Sequence, residues 1–594
     1  MSMDHRHDQH LSQHLRHGLD QILAGFQGDL GSDYPLAAQQ AIHVARCLQQ
    51  RATQLQTPQE RRQQAELDRM IHNPHDKSTL MQLTDQAFRS NVPHRAADQL
   101  IHILDVQGIP RFFSTFDRTL LKGFQSFGNY LPGVAVPLVK EKMQHETANV
   151  ILPGETEMLT PHLAARRSEG VRMNVNYLGE SLLGEQEAER RLNIYLQALQ
   201  VPEIEVLSVK ISTIYSQIQP LARHHSIAVL CDRLELLYRA AAKTGFTHSD
   251  GTVVPKFIYL DMEEYRDMSI TAEAFMNTLD RPGLKNISAG IALQAYIPDS
   301  YSTQQEINQW ARQRLATGGA PVTIRIVKGA NMEMEKVEAS LSGWPQAPYS
   351  LKRHTDANYK RMVDEGMQSE NLAAVRLGIA SHNLFDLAFG LVLAHQSNAL
   401  DRVQFEMLEG MANHQRRALF ELTQNVLLYA PACRQEHFTN AIGYLIRRLD
   451  ENTGPDNFLR HAFRLEVDSD EWRQLENDFL VCFDHIGALS SAPRRRQDRT
   501  QSPLPSLNAD TPWQLFVNEP DTDFSLPQNL HWAEGVVANW SSKQGKNSVD
   551  IPLVIDGQEI LADRPIQQSL DPSRPGVCVG RYRQATRNDI NLAV

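Results

Sequence analysis

The 594-residue chain reads as an α/β protein, a closed (β/α)8 barrel preceded by an all-α region. Two observations predict this. From residue 171, eight short apolar runs alternate with amphipathic helical stretches: MNVNYLG (173–179), EVLSVKIS (205–212), FIYLDME (257–263), GIALQAY (290–296), VTIRIVKGA (322–330), AVRLGIASHN (374–383), VQFEMLEGM (403–411) and NVLLYAPA (425–432). Near-continuous apolar strands alternating with helices imply a parallel sheet, and eight units over about 280 residues is the size of a barrel. The second observation is that runs end in polar residues: Lys210, Asp261, Gln294, Lys328, His382, Asn383, Glu409 and Tyr429. In a barrel such ends form the C-terminal mouth, where sites are built. Exposed strand ends are polar in any sheet. Charges inside runs, Lys210 and Arg325, are harder to dismiss, because buried charge is costly unless paired or used.

Composition narrows the class. Apolar residues make up 41% and charged residues 22%, enough for real cores. Lys plus Arg total 59 against 70 Asp plus Glu, a net charge of -11 that argues against sequence-independent nucleic-acid binding. The five cysteines (Cys47, Cys231, Cys433, Cys482, Cys578) are widely spaced with no C-x-x-C. That fits a reducing compartment and excludes a disulfide scaffold or zinc ribbon. No run reaches the roughly 18 apolar residues of a membrane span, and the N-terminus has no apolar signal-peptide core. A soluble, cytoplasmic protein is expected; a peripheral membrane contact stays open, because composition does not register one.

In chain order, residues 1–90 form a helical arm. LDQILAGF, AAQQAIHVARCLQQRATQL and RRQQAELDRMI carry apolar residues at i, i+3, i+4 on Gln-rich helices. Such helices need a surface to pack on, either the rest of the chain as an arm or lid support, or a second copy in a homodimer. His10 and His14 have the i, i+4 spacing of metal ligands but lack carboxylate or thiolate partners, so a polar helix face is the reading and no metal is expected. Residues 91–170 continue as an α-domain of shorter helices broken by Pro93, Pro110, Pro132 and Pro153. The barrel occupies 171–490. Residues 491–550, rich in Pro, Ser and Arg, read as a linker in which Arg494, Arg495 and Arg496 form a solvated run. At 551 a fresh β-rich start appears with IPLVIDGQEI and DPSRPGVCVGRYRQAT.

Motif chemistry is mostly negative. No G-x-G-x-x-G follows a strand, and P-loop, H-E-x-x-H and G-x-S-x-G patterns do not occur. The informative helix is TNAIGYLIRRLDENTG (439–454), where Tyr444, Arg447, Arg448 and Glu451 share one side. Two guanidinium forks at one point suit a small carboxylate. By spacing alone a surface Arg pair bonded to acidic neighbours is an equal reading. Lys210, Asp261 and Tyr429 at strand ends add a cation, an anion and an aromatic wall, which together suit a small zwitterion.

At these residues a family resemblance emerges. SVKIS, YLDMEEYRDMS, GIALQAY, IRIVKGA, HTDANY, SHN, FEMLEGM, LLYAPA and YLIRRLDENTG run in order from residue 208 to residue 454 and resemble the motifs of flavin-dependent proline dehydrogenase. The whole chain resembles the front part of the bacterial proline utilization A family, which joins proline dehydrogenase to a glutamate-semialdehyde dehydrogenase. The segment from 551 resembles the first strands of the aldehyde dehydrogenase half. The resemblance therefore implies a chain truncated to its proline dehydrogenase half, without aldehyde dehydrogenase activity or the NAD site of that half. Nothing at this N-terminus resembles the ribbon-helix-helix domain that opens the longest members, so no nucleic acid is expected as a partner.

The resemblance implies a distorted (βα)8 TIM-like barrel with FAD at its C-terminal mouth. L-proline is then oxidised to Δ1-pyrroline-5-carboxylate by hydride transfer to FAD N5, the first step of proline catabolism to glutamate, with a membrane quinone taking the electrons. By motif position Arg447 and Arg448 clamp the proline carboxylate and act with Lys210, Asp261 and Tyr429 as the catalytic set. Leu408, Tyr444, Ala330 and Asn331 line the substrate. Gln294, Arg325, Val327, Lys328, Gly329, Ala330, Thr355, Ser381, His382, Gln404, Arg448 and Glu451 surround FAD. Where well-known members read R-L-V-K-G-A-Y-W, this chain has Asn331 and Met332 in place of the two aromatics. Two readings from other classes stay open on the residues alone: an FAD-free barrel lyase using Lys210 as a Schiff base, and an inert scaffold whose Gln-rich helices bind partners.

Overall fold

The structure, a computed structural model, describes residues 4–28, 33–62, 73–90, 92–111, 115–128, 130–147, 151–179, 184–248, 251–441, 443–444, 457–462, 464–501, 512–516 and 518–594. By internal contacts it forms two compact units, residues 1–494 and 495–594.

All eight apolar runs are strands: β1 Arg172–Tyr177, β2 Val206–Lys210, β3 Phe257–Asp261, β4 Gly290–Gln294, β5 Val322–Val327, β6 Val375–Ala380, β7 Val403–Leu408 and β8 Val426–Cys433. Each pairs in parallel with its sequence neighbour, and β8 pairs with β1 to close the barrel. A two-residue strand, Leu152–Pro153, adds to the end of β8. Register fixes the mouth: Lys210 lies opposite Asp261, Gln294 opposite Val327, and Leu408 opposite Tyr429.

Strand side chains alternate between faces. One face carries Leu260, Ile324, Ile326, Phe405, Met407 and Leu428, all buried in the main apolar core. The other face carries Ser208, Tyr259, Asp261, Arg325, Glu406 and Tyr429, which bond to one another. The runs look almost wholly apolar because only every second residue faces the polar interior.

Among the described residues, the helices before the barrel include α1 Asp4–Ala24, α2 Leu36–Leu55, α3 Pro74–Arg89, α4 Pro93–Gln107, α5 Thr115–Phe127, α6 Pro132–Thr147 and α7 Thr156–Ser168. Around the barrel run α8 Glu185–Ala198, α9 Arg223–Lys243, α10 Met268–Leu279, α11 Ser300–Ala316, α12 Met332–Ser342, α13 Lys352–Gly366, α14 Leu384–Gln396 and α15 Asn413–Thr423, followed by α16 Asp470–Ile486. The stripe Ala38, Ala41, Val44, Ala45, Leu48, Gln49 and Ala52 of α2 is buried, and α2 packs on α14 and α15. The apolar face that asked for a partner thus finds one in its own chain. The buried Gln49 is satisfied: its Nε2 donates to the Leu465 carbonyl (2.6 Å) and its Oε1 accepts from Gln415 (3.0 Å). Helices α3 to α6 share a smaller core with Leu178, Cys433, Phe438 and Tyr444, which ties the α-domain to the β8 side of the mouth.

The second unit holds the helix Pro527–Ser541, a three-stranded sheet (Val549–Ile551, Cys578–Arg583, Ile566–Leu570) and a hairpin of Leu553–Ile555 with Gln558–Ile560. Within it, Arg495 is enclosed rather than solvated. Its side chain is 1% exposed and pairs with Asp523 at 3.3 Å. The charge run misleads because the countercharge lies 28 residues downstream.

Leu48, 3% exposed, tests the docking of α2. Leu48→Ala should lower the unfolding free energy in urea by about 2–5 kcal/mol, as deletion of a well-packed core side chain does. An unchanged midpoint would mean that α2 is not held against the barrel in solution.

Candidate active site

A cavity of about 360 Å³ opens at the mouth. Its walls include Lys210, Asp261, Tyr429, Leu408, Tyr444, Ala330, Asn331, Gln294, Arg325, Val327, Lys328, Gly329, Ser381 and His382, all singled out in the sequence. Thr355 and Gln404 are not among its walls. Arg447, Arg448 and Glu451 lie outside the described residues.

The centre of the polar face is Arg325. Its side chain is 5% exposed and donates to Asp261, with Glu406 on its other side at 3.5 Å. Its guanidinium lies over the rings of Tyr259 (4.6 Å) and Tyr429 (5.2 Å). Burial by itself opposes the charge, but Asp261 and Glu406 outweigh it and raise the Arg325 pKa above its ordinary value. Asp261 also accepts from Ser208 Oγ (3.1 Å) and from Tyr429 Oη (2.9 Å), while Tyr429 Oη accepts from Asn176 Nδ2 (2.6 Å). Burial, and then the Asp261 charge, push the Tyr429 hydroxyl well above the usual tyrosine range, so it acts as a neutral donor. Glu406 accepts from Tyr259 (2.7 Å) and Gln404 (3.0 Å); burial raises its carboxyl pKa while Arg325 opposes the rise.

Lys210, the last residue of β2, donates to Glu263 at 2.5 Å, and Ser212 holds the other Glu263 oxygen. On the opposite side, Lys328 bridges Asp356 (2.6 Å) and Asp386 (2.7 Å), with Lys352 on Asp356 (2.5 Å) and Lys360 on Asp386 (3.3 Å). Burial disfavours the Lys328 ammonium, but the two aspartates raise its pKa; burial likewise disfavours the Asp356 carboxylate, but the lysines lower its pKa. Between these clusters, Gly329 has φ +129, and a Cβ there would lie 2.4 Å from the Tyr296 ring, so only glycine turns the chain here. His382 Nε2 accepts the Leu408 backbone N–H at 3.0 Å, and Asn383 caps α14 by accepting from the Phe385 N–H at 3.0 Å. Met332 packs against the main core instead of lining the cavity. Glu409, the polar end of its run, is a structural residue, held by Arg166 at 2.5 Å and His162 at 3.3 Å.

Sequence reasoning passed over Asn176, Glu263, Lys352, Asp356, Lys360 and Glu406, which line the same cavity. Glu406 carried a usable signal, a charge inside an apolar run, the same signal that singled out Lys210 and Arg325. Gln404 shares its strand face one layer away and bonds to it. Asp356 is the helical neighbour of Thr355, and no periodicity favoured one over the other.

The proline dehydrogenase family model matches residues 159–461, just over half of the chain, and the chain belongs to that family. Among solved structures, proline utilization A from Corynebacterium freiburgense is 32% identical with a TM-score of 0.56, covering 70% of this chain and 38% of that one. Proline utilization A from Bdellovibrio bacteriovorus, inactivated by N-propargylglycine, is 23% identical with a TM-score of 0.68, covering 98% and 53%. A Bradyrhizobium japonicum proline utilization A mutant is 17% identical at 0.57, covering 91% and 52%. The chain therefore spans about half the length of these relatives, or less. A comparison with curated proteins gives no match. Among the described residues, no helix is long and apolar enough to cross a membrane.

Asp267, just before α10, has its carboxyl pushed up to about 7, first by burial, against Arg266, and further by Glu264 and Glu263. The unfolded chain releases that proton near 3.9, so between about 4 and 7 the folded state binds more protons, and stability falls as pH rises through this window. Asp267→Asn should flatten the Tm-versus-pH curve there and melt above the parent at pH 8. Parallel curves for the two proteins would contradict the assignment.

Proposed function

We propose that the chain oxidises L-proline to Δ1-pyrroline-5-carboxylate with FAD as cofactor and a membrane quinone as final acceptor, acting in the cytoplasm with peripheral contact at the inner membrane. The observation that carries this reading is the meeting of Lys210, Asp261, Tyr429 and Arg325 in one cavity at the mouth of a family-matched barrel. Helices α1 and α2 brace the barrel as an arm.

The residues fit FAD. A buried donor, Arg325 Nε, and a buried acceptor, Asn176 Oδ1, stand in the cavity wall with no hydrogen-bond partner among the described residues. Such atoms suit the heteroatom edge of a flat ring. Lys328, Lys352 and Lys360 outnumber Asp356 and Asp386 by one, an excess positive charge that suits a diphosphate. Bound there, FAD would supply a two-electron acceptor for a hydride from proline C5.

The chain's own residues do the rest. Carried over from the family motif, Arg447 and Arg448 grip the substrate carboxylate by charge-assisted bonds, and Lys210 adds positive charge to the cavity wall. Asp261, fixed by Arg325, Tyr429 and Ser208, sets negative charge against the substrate amine. Leu408, Tyr444, Phe458, Leu459 and Phe479 wall the cavity with apolar surface that excludes water. A Schiff-base lyase needs a neutral amine, and Lys210 is ion-paired with Glu263 at 2.5 Å, so that reading loses its nucleophile.

The purified protein should be yellow, and anaerobic L-proline should bleach its flavin band. In Arg448→Met the band should be unaltered before proline is added, while the KM for proline rises about tenfold or more through loss of a charge-assisted bond. A band that ignores L-proline would contradict the oxidation; an unchanged KM would contradict the carboxylate clamp.

A further inference from the structure

We infer that Glu263 is a positioning residue that sets the charge preference of the substrate end of the cavity, favouring a zwitterion over a bare carboxylate; this rests on reading the cavity as an imino-acid site.

Glu263 stands two residues beyond Asp261, and both carboxylates line the cavity. Their commitments differ. Asp261 already takes three donors, from Ser208, Tyr429 and Arg325. Glu263 takes the Lys210 ammonium on one oxygen and the Ser212 hydroxyl on the other. Both partners of this ion pair keep contact with solvent, at 13% and 21% side-chain exposure, whereas Asp261 and Arg325 are 7% and 5% exposed. Glu263 is therefore the more accessible of the two carboxylates at this end.

Direct pairing gives Glu263 its weight. Lys210 is bonded to Glu263 while Arg325 is held by Asp261 and Glu406, so the preference rests on the local Lys210–Glu263 contact and not on the net charge of this end, to which the proposed Arg447 and Arg448 clamp adds two positive charges. A carboxylate entering beside Lys210 must share the ammonium with Glu263, and this competition penalises a ligand with no positive charge of its own. A ligand that also carries an ammonium recovers the loss from the same carboxylate. Removing the charge at 263 reverses both effects. Ser212 keeps Glu263 turned toward Lys210 and so sustains the preference.

Two probes that share one five-membered ring and carry opposite charge test this by calorimetry on the flavin-loaded chain: cyclopentanecarboxylate and cyclopentylammonium. Glu263→Gln should tighten the carboxylate and weaken the ammonium, each by about fivefold or more, as loss of a nearby unit charge requires. Glu263→Asp, which restores the charge, should bring both affinities back to within about twofold of the parent. A role in merely shaping the pocket would move both probes in the same direction. That result, the lack of any shift, or failure of either probe to bind the parent would overturn the inference. Failure of L-proline to bleach the parent's flavin would overturn the oxidation reading alone and leave the opposed shifts as the measure of Glu263.

Discussion

The barrel interior is organised by a buried ionic group, with Arg325 between Asp261 and Glu406. Charges so enclosed are expensive to desolvate, and they persist only where each finds a close partner and enough hydrogen bonds. Here each does. Asp261 is saturated by Ser208 and Tyr429, Glu406 by Tyr259 and Gln404, and the guanidinium faces lie over two tyrosine rings. Space is reserved for the group as well: a Cβ at Gly378 would lie 2.5 Å from a Glu406 oxygen. These contacts tie together β2, β3, β5, β7 and β8, so ring closure and the chemistry of the mouth depend on the same side chains.

Around that centre the cavity divides by charge. One end pairs Lys210 with Glu263 near Asp261 and Tyr429, which suits a small zwitterion. The other end gathers three lysines on two aspartates, which suits an anion. The Gly329 turn joins the two ends, and the apolar side chains of α16 cover one side. A flavin and an imino acid are thus accommodated by different electrostatics within one space. Tyr444 belongs both to this wall and to the core under α3 to α6, so the α-domain helps to shape the site.

Much of this was legible in the residues. Each strand is a short apolar run whose length and spacing fix a parallel barrel, and charges within the runs at Lys210 and Arg325 pointed inward because no apolar layer tolerates them unpaired. What stayed hidden was pairing across the fold. Whether Gln404 or Glu406 reaches the cavity depends on strand height, which period-two alternation does not encode. Whether Thr355 or Asp356 does depends on helix rotation against Lys328. Arg495 looked solvated because Asp523 is distant in sequence, and the face of α2 gave no hint that its partners were α14 and α15. Local pattern predicted elements and faces; long-range contacts decided which side chains met.

The central claim is that Asp261 and Arg325 act as one unit. A double-mutant cycle by urea unfolding, using Asp261→Asn, Arg325→Met and the double variant, measures this directly. Arg325→Met leaves Asp261 buried without its countercharge, and Asp261→Asn leaves Arg325 with the more distant Glu406 as its remaining carboxylate, so the double variant should lose about 1.5 kcal/mol or more less than the sum of the singles. Losses additive to within about 0.5 kcal/mol would contradict the account.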